Sequence, residues 1–372
     1  MKLMKLNFLK AIILPGLIFQ SVVIAGGYAT GRELVEFFLS NGPRAGLYGM
    51  IVATLVWSLG LATSLEFARL TRSSDYKTFF RHLLGRAWVL YEIVYIITIV
   101  LILSVIGSAA GILLAEMINI LPLVGTVFLI ATIGLLTFFG TQLIERVLAS
   151  WSLLLYVVYA CFLIIGFIKF GGEIQQGFSV PIDNARWAGD GIKYASYNLA
   201  IIPTILFCLR HISSRQEAIT GGLIGGVLAI FPGILFYCVL VGFYPDIIRE
   251  AVPINTMLAA MGIPFFQIIF QIVIFGTFIE TGTALLHALN ERIAVTYEEK
   301  SKVMPTYLRP MVAVTAMIIA VFISDRIGLI ALIANGYVLL TYLFLAVFVI
   351  PLFTVGLYKI IWVYSKQENQ QQ

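Results

Sequence analysis

The stretch Ala25-Gly-Gly-Tyr-Ala-Thr-Gly-Arg-Glu33 interrupts the first long apolar segment, residues 9–39, at a depth where a membrane helix has no cause to break. Gly26, Gly27 and Gly31 each lower helix propensity by about 0.5–1 kcal/mol relative to Ala. Arg32 and Glu33 add two charges, each costing at least ~2.5 kcal/mol near the centre of a bilayer. A chain keeps such a stretch inside a membrane only where irregular backbone lines a cavity or is covered by protein. The first helix is therefore expected to be broken here, and the break to be a binding site.

The membrane context follows from composition: 60% hydrophobic residues, 12% charged and a mean hydropathy of +0.99 exclude a soluble core. About 20 apolar residues cross a bilayer. On that scale the chain divides into ten spans, at 9–39, 43–70, 87–118, 122–140, 143–170, 188–211, 217–243, 263–296, 309–324 and 328–361. The basic N-terminus before Ala11-Ile-Ile-Leu imitates a signal peptide, but its apolar run continues and reads as the retained first span. With the N-terminus inside, 17 of the 24 Lys and Arg residues fall on cytoplasmic segments and six outside, Arg32 being intramembrane. Both termini are thus expected in the cytoplasm, with the spans in a plasma membrane. The net charge of +5 belongs to those cytoplasmic loops and is no sign of nucleic-acid binding. Cys161, Cys208 and Cys238 sit in apolar runs without metal spacing and read as buried packing residues.

Ten spans form one transporter-like domain over 1–361, followed by a polar cytoplasmic tail, 362–372, of which Ser365 to Gln372 is expected to be disordered. Sets of five, 1–170 and 186–361, would be related by inverted topology, because an odd span number reverses the second set. The first span of each half should then be interrupted. Span 6 carries Asn198 and Pro203 in Tyr194-Ala-Ser-Tyr-Asn-Leu-Ala-Ile-Ile-Pro203, which frees backbone groups in the matching place. The external stretch 244–264 is amphipathic and is expected to cap the outer vestibule.

This layout resembles the LeuT fold of the amino acid–polyamine–cation superfamily. The segment from Ala25 to Phe38 is similar to the YkvI-like bacterial membrane proteins, with their Gly-Ala-Gly-Phe-Ala-Thr-Gly-Lys/Gln-Glu pattern followed by Phe-Phe. Gly27, Ala29, Thr30, Gly31, Glu33, Phe37 and Phe38 match, and Arg32 stands where that pattern has Lys or Gln. The resemblance implies an all-α transporter of ten helices, a 5+5 inverted repeat with broken helices 1 and 6. It also implies a cation site between spans 1 and 8.

Substrate binding is expected at Gly26, Gly27, Tyr28, Thr30, Gly31 and Arg32 in the first break, and at Tyr197 and Asn198 in the second. Free amides beginning near Gly31 would favour a carboxylate, and Arg32 could pair with it or with Glu33, Glu36 or Glu66. Carbonyls from Val23 to Gly26 could coordinate a cation. On span 8, helical spacing sets Glu280, Ala284, His287 and Glu291 on one stripe, with Thr277 and Thr281 at its edge. An ionised carboxylate is costly at the depth of Glu280, which suits a proton carrier. Thr277 and Thr281 are hard oxygen ligands suited to sodium, or else bond back to their own helix. Glu33 and Glu66 are candidate gating residues. His287, near the cytoplasmic end of span 8, is read as a helix-packing or interfacial residue, and Glu92, Glu116 and Glu145 lie near span ends and need no special explanation.

Neither HExxH nor a P-loop is present, and no Ser/His/Asp set stands out among three histidines, so an enzyme is not expected. No metal or organic cofactor is expected. The reading is an ion-coupled carrier of a small solute, an amino acid or related carboxylate, driven by Na⁺ or H⁺. The alternative is a transporter-fold sensor that binds without translocating. Oligomeric state stays open at this level.

Overall fold

The computed structural model describes residues 2–24, 26–139, 142–182, 186–298, 301–305 and 307–369, and these are helical with no strand among them. Among the described residues, seven helices are long and apolar enough to cross a bilayer. A pair bent by 77°, Leu153–Lys169 with Gly171–Gly177, and two shorter apolar helices, Leu9–Val23 and Pro122–Thr137, occupy the remaining expected segments.

The first span is broken as the glycines demand. Helix α1 (Lys2–Val23) stops, a single turn α2 (Gly26–Ala29) follows, and α3 (Arg32–Phe37) resumes after Gly31. Gly31 has φ +81°, a left-handed conformation that side chains resist. Helix α4 (Pro43–Thr71) then returns across the bundle. A short amphipathic helix α5 (Tyr76–Leu84), absent from the sequence reading, is capped by Asp75, whose carboxylate accepts from Thr78 N at 2.8 Å.

Helices α6 (Trp88–Ile118), α7 (Pro122–Phe139) and α8 (Gln142–Lys169) follow, with α9 (Gly171–Gly177) outside them. Span 6 is interrupted in a different manner from span 1. Helix α10 (Trp187–Asn198) passes without a gap into a 3₁₀ helix, Leu199–His211, that contains Pro203. Thirteen residues of 3₁₀ helix are well beyond the usual three or four. Neighbouring side chains reach this region: Tyr91 Oη donates to Ala200 O at 3.1 Å and Trp57 Nε1 to Ala195 O at 3.2 Å.

Helix α11 (Arg215–Val241) is followed by α12 (Pro253–Met261), α13 (Pro264–Glu298) and α14 (Leu308–Ile327). The last span, Leu329–Val363, contains three π-helical segments, Leu332–Tyr337, Leu345–Val349 and Leu352–Gly356. Helix continues to Asn369, so most of the tail expected to be disordered extends the last span instead.

Two groups of helices emerge from the packing. Helices α1, α4, α11 and the span 187–211 lie against one another, while α6, α7, α13 and α14 form a second group that α8 joins through α13. Small residues let the first group close. A Cβ on Gly222 would lie 2.2 Å from Ala62 N, and one on Gly226 2.3 Å from Ser58 Oγ, so α11 touches α4 backbone to backbone. Cys161 is exposed on the surface of α8 and Cys208 is buried, with Cys238 between these extremes. The expectation that all three are buried fails at Cys161, because an apolar run in a membrane also has a lipid-facing side.

Candidate functional site

A cavity of about 370 Å³ lies where the two groups meet at the interruptions of spans 1 and 6. Its wall takes Val23, Ile24 and Glu33 from the first break, and Tyr197 and Asn198 from the end of α10. Thr277, Glu280 and Thr281 come from α13, Tyr95 from α6, Tyr156 from α8 and Tyr337 from the last span. It continues along Ala200, Thr204 and Ala288, toward the end of the bundle from which α1 starts.

Glu33 is 5% exposed and sits at the centre of the hydrogen bonding. The Tyr197 hydroxyl donates to its Oε2 at 2.6 Å, and the Tyr337 hydroxyl bonds the same carboxyl. The Tyr197 and Tyr337 rings lie 4.8 Å apart. Asn198 donates through Nδ2 to Tyr194 O at 2.9 Å, back along its own helix. Thr277 does likewise, Oγ1 to Val273 O at 2.9 Å, which leaves only its lone pairs for a ligand. Glu280 is partly buried on the same wall, one turn from Thr277 and Ala284.

The opposite side of the break is closed. Phe236 packs on Tyr28, Tyr159 and Phe162 at centroid distances of 6.4, 5.3 and 5.5 Å. The segment after α11 lies over this cluster, and Ile254 N donates to Thr30 O at 3.1 Å. Arg32, 4% exposed, holds that segment down: Nη1 donates to Ile248 O at 2.7 Å and to Glu250 O at 3.1 Å, and Nη2 pairs with Glu36. A further chain of hydrogen bonds runs from buried Gln271 to buried Asn255 and on to Glu116 at the surface. The expected amphipathic cap is thus tied to the break by backbone and side chain.

The structure brings Val23, Glu33, Tyr197, Asn198, Thr277, Glu280 and Thr281 to one cavity. Tyr28, Thr30, Gly31 and Arg32 belong to the closed side instead, where Thr30 Oγ1 accepts from Arg32 N at 3.2 Å. Arg32 reaches away from the cavity, to where the loop carbonyls and Glu36 engage both of its Nη groups. Gly26 and Gly27 open α2, while Ala25 lies outside the described residues. Glu66 is 2% exposed and forms a two-pronged pair with Arg69, both contacts 2.8 Å, near the end of α4 and away from the cavity. His287 is exposed, and Glu291 pairs with Arg309 at 3.2 Å.

Sequence reasoning missed Tyr337 and Arg292. The signal for the first was Asn335-Gly336 inside an apolar run, where the backbone turns π-helical. Arg292 binds Glu92 at 2.7 Å and lies 3.9 Å and 3.8 Å from the ring centres of Tyr76 and Tyr95, joining α13 to α5 and α6. Glu92 and Glu116, which the sequence left without a role, are partners of Arg292 and Asn255 respectively.

No family model matches the chain. The uncharacterized membrane protein YkvI of Bacillus subtilis (strain 168) is 24% identical over 334 residues, 88% of this chain and 92% of that protein. Among solved structures, MhsT in complex with L-phenylalanine superposes with a TM-score of 0.59 at 15% identity, covering 94% of this chain and 97% of that one. An Eremococcus coleocola manganese transporter, in a mutant form, gives a TM-score of 0.57 at 14% identity over 94% of this chain and 79% of that one. The chain is a homologue of YkvI with the LeuT fold of these transporters.

Proposed function

We propose that this protein is a secondary active transporter, working in the bacterial plasma membrane with both termini cytoplasmic. Its cargo is a small organic solute of the amino acid class, and Na⁺ or H⁺ drives the transport. The observation that carries this reading is the single cavity shared by the first break, the α-to-3₁₀ change at Asn198 and the Glu280 face of α13. Helix interruptions at a midplane cavity are how alternating-access carriers expose backbone to cargo without exposing it to lipid.

Closure on the Arg32 side and extension of the cavity the other way give one end-state of such a cycle. The two packing groups supply the moving parts, α1, α4, α11 and the span 187–211 rocking against α6, α7, α13 and α14. MhsT, solved with L-phenylalanine, favours an organic cargo of similar size. On the coupling side, Thr277, Thr281 and the carbonyls near Val23 offer hard oxygens, and Glu280 offers a carboxylate.

The test is uptake of radiolabelled amino acids into proteoliposomes under imposed Na⁺ or H⁺ gradients. Gradient-dependent accumulation is expected. Glu280→Gln should remove proton-driven uptake and spare counterflow exchange. If no amino acid moves under either gradient while the protein still binds one, the transport reading gives way to a binding-only sensor.

A further inference from the structure

Six of the nine hydroxyls that line the cavity already spend their proton inside the protein. Tyr197 and Tyr337 both direct their hydroxyl protons to Glu33, and Asn198 directs its amide nitrogen to Tyr194 O. The hydroxyls of Thr277, Thr98, Thr204 and Ser21 donate to Val273 O, Val94 O, Ile201 O and Ile18 O, at 2.9, 2.8, 2.7 and 2.9 Å. A hydroxyl has one proton and two lone pairs, so each of these hydroxyls turns only acceptors to the interior, while the Asn198 amide keeps one N–H.

Charge points the same way. Among the described residues lining the cavity none is Arg, Lys or His, and Arg32, next to Glu33 in sequence, is bound to loop carbonyls on the closed side. A carboxylate placed beside Glu33 would meet mostly lone pairs and like charge. An ammonium supplies three N–H donors and a positive charge. The Tyr197 and Tyr337 rings beside Glu33 add aromatic faces that attract such a group. Ile99, Ile102 and Leu285 offer an apolar wall for the remainder of the solute.

We infer that the cargo is recognised through a positively charged amine held by the Glu33 carboxylate, and that a solute whose only charge is a carboxylate is refused. This rests on the cavity being the cargo site proposed above, and it replaces the carboxylate recognition expected from the sequence.

The test uses the full-length protein in detergent micelles with three five-carbon probes, pentylamine, norvaline and pentanoate, followed by titration calorimetry and thermal unfolding. Pentylamine and norvaline should bind and raise the melting temperature. Pentanoate should bind at least about tenfold more weakly, and Glu33→Gln should weaken pentylamine about ten- to a hundredfold, the worth of a charged hydrogen bond. Tyr337→Phe keeps the carboxylate and should keep the amine preference, so it carries the test if Glu33→Gln does not fold. Pentanoate binding as tightly as pentylamine, unchanged pentylamine binding in Glu33→Gln, or silence of all three probes overturns the inference. So does a sodium response lost in Glu33→Gln with pentylamine silent. Absence of flux with both amines still bound would instead remove the transport reading alone.

Discussion

Replacing Gly31 by alanine tests whether the closed side of the break is held as firmly as its packing implies. Gly31 joins α2 to α3 at φ +81° and ψ −8°, and its amide and carbonyl bond Tyr28 O and Val35 N at 2.9 and 3.1 Å. A Cβ in this left-handed conformation costs about 1–2 kcal/mol. The same Cβ would lie 3.0 Å from Phe236 Cζ and 3.4 Å from Pro253 Cβ. Phe236 is fully buried among Tyr28, Tyr159 and Phe162, so moving its ring adds about 1–3 kcal/mol of overpacking.

Gly262 is the control. It is also left-handed, at φ +67°, but the nearest atom to its added Cβ is Lys169 Nζ at 3.6 Å, an ordinary contact that needs no movement. Gly31→Ala should therefore destabilise by about 2–5 kcal/mol and Gly262→Ala by only about 1–2 kcal/mol. Unfolding in mixed detergent micelles titrated with SDS compares the two directly. Equal losses would show that Phe236 and the segment over it yield freely. The description of a tightly closed side would then be wrong.

Three further outcomes follow from the ion pairs. Arg32→Gln removes the Glu36 pair and weakens the hold on Ile248 and Glu250. A cysteine placed at Thr30, with the native cysteines replaced by serine, should react about tenfold faster with an impermeant thiol reagent, as for a loss of about 1.4 kcal/mol in closure. Glu66→Gln breaks the buried pair with Arg69 and should lower stability by about 1–3 kcal/mol without changing solute affinity, since Glu66 is off the cavity; altered affinity would restore a gating role. Arg292→Lys exchanges a flat guanidinium between two tyrosine rings for a compact ammonium, and thermal unfolding should register a loss of about 1–2 kcal/mol.

Much of the site was legible because a bilayer penalises irregular sequence so heavily. Glycines and charges at 26–33, Asn198 with Pro203, and the Thr277/Glu280/Thr281 stripe each violate what lipid permits, and each borders the cavity or its closure. What could not be read is which way a side chain turns. Arg32 and Glu33 are neighbours with equal claims on a ligand, yet one faces the loop after α11 and the other the cavity. That loop is more than 200 residues away in sequence, so no local pattern records the contact.

From residues alone came the membrane setting, the interruption of the first span, and the place of span 6 where regular α-helix ends, because hydropathy and backbone propensity act within a few residues. The tertiary structure alone decided that Tyr337 joins Tyr197 at Glu33, that both of those hydroxyls spend their protons there, and that Arg32 belongs to a closure rather than to a ligand. Those facts depend on the approach of helices distant in the chain, and hydrogen-bond direction is settled only when the partners meet.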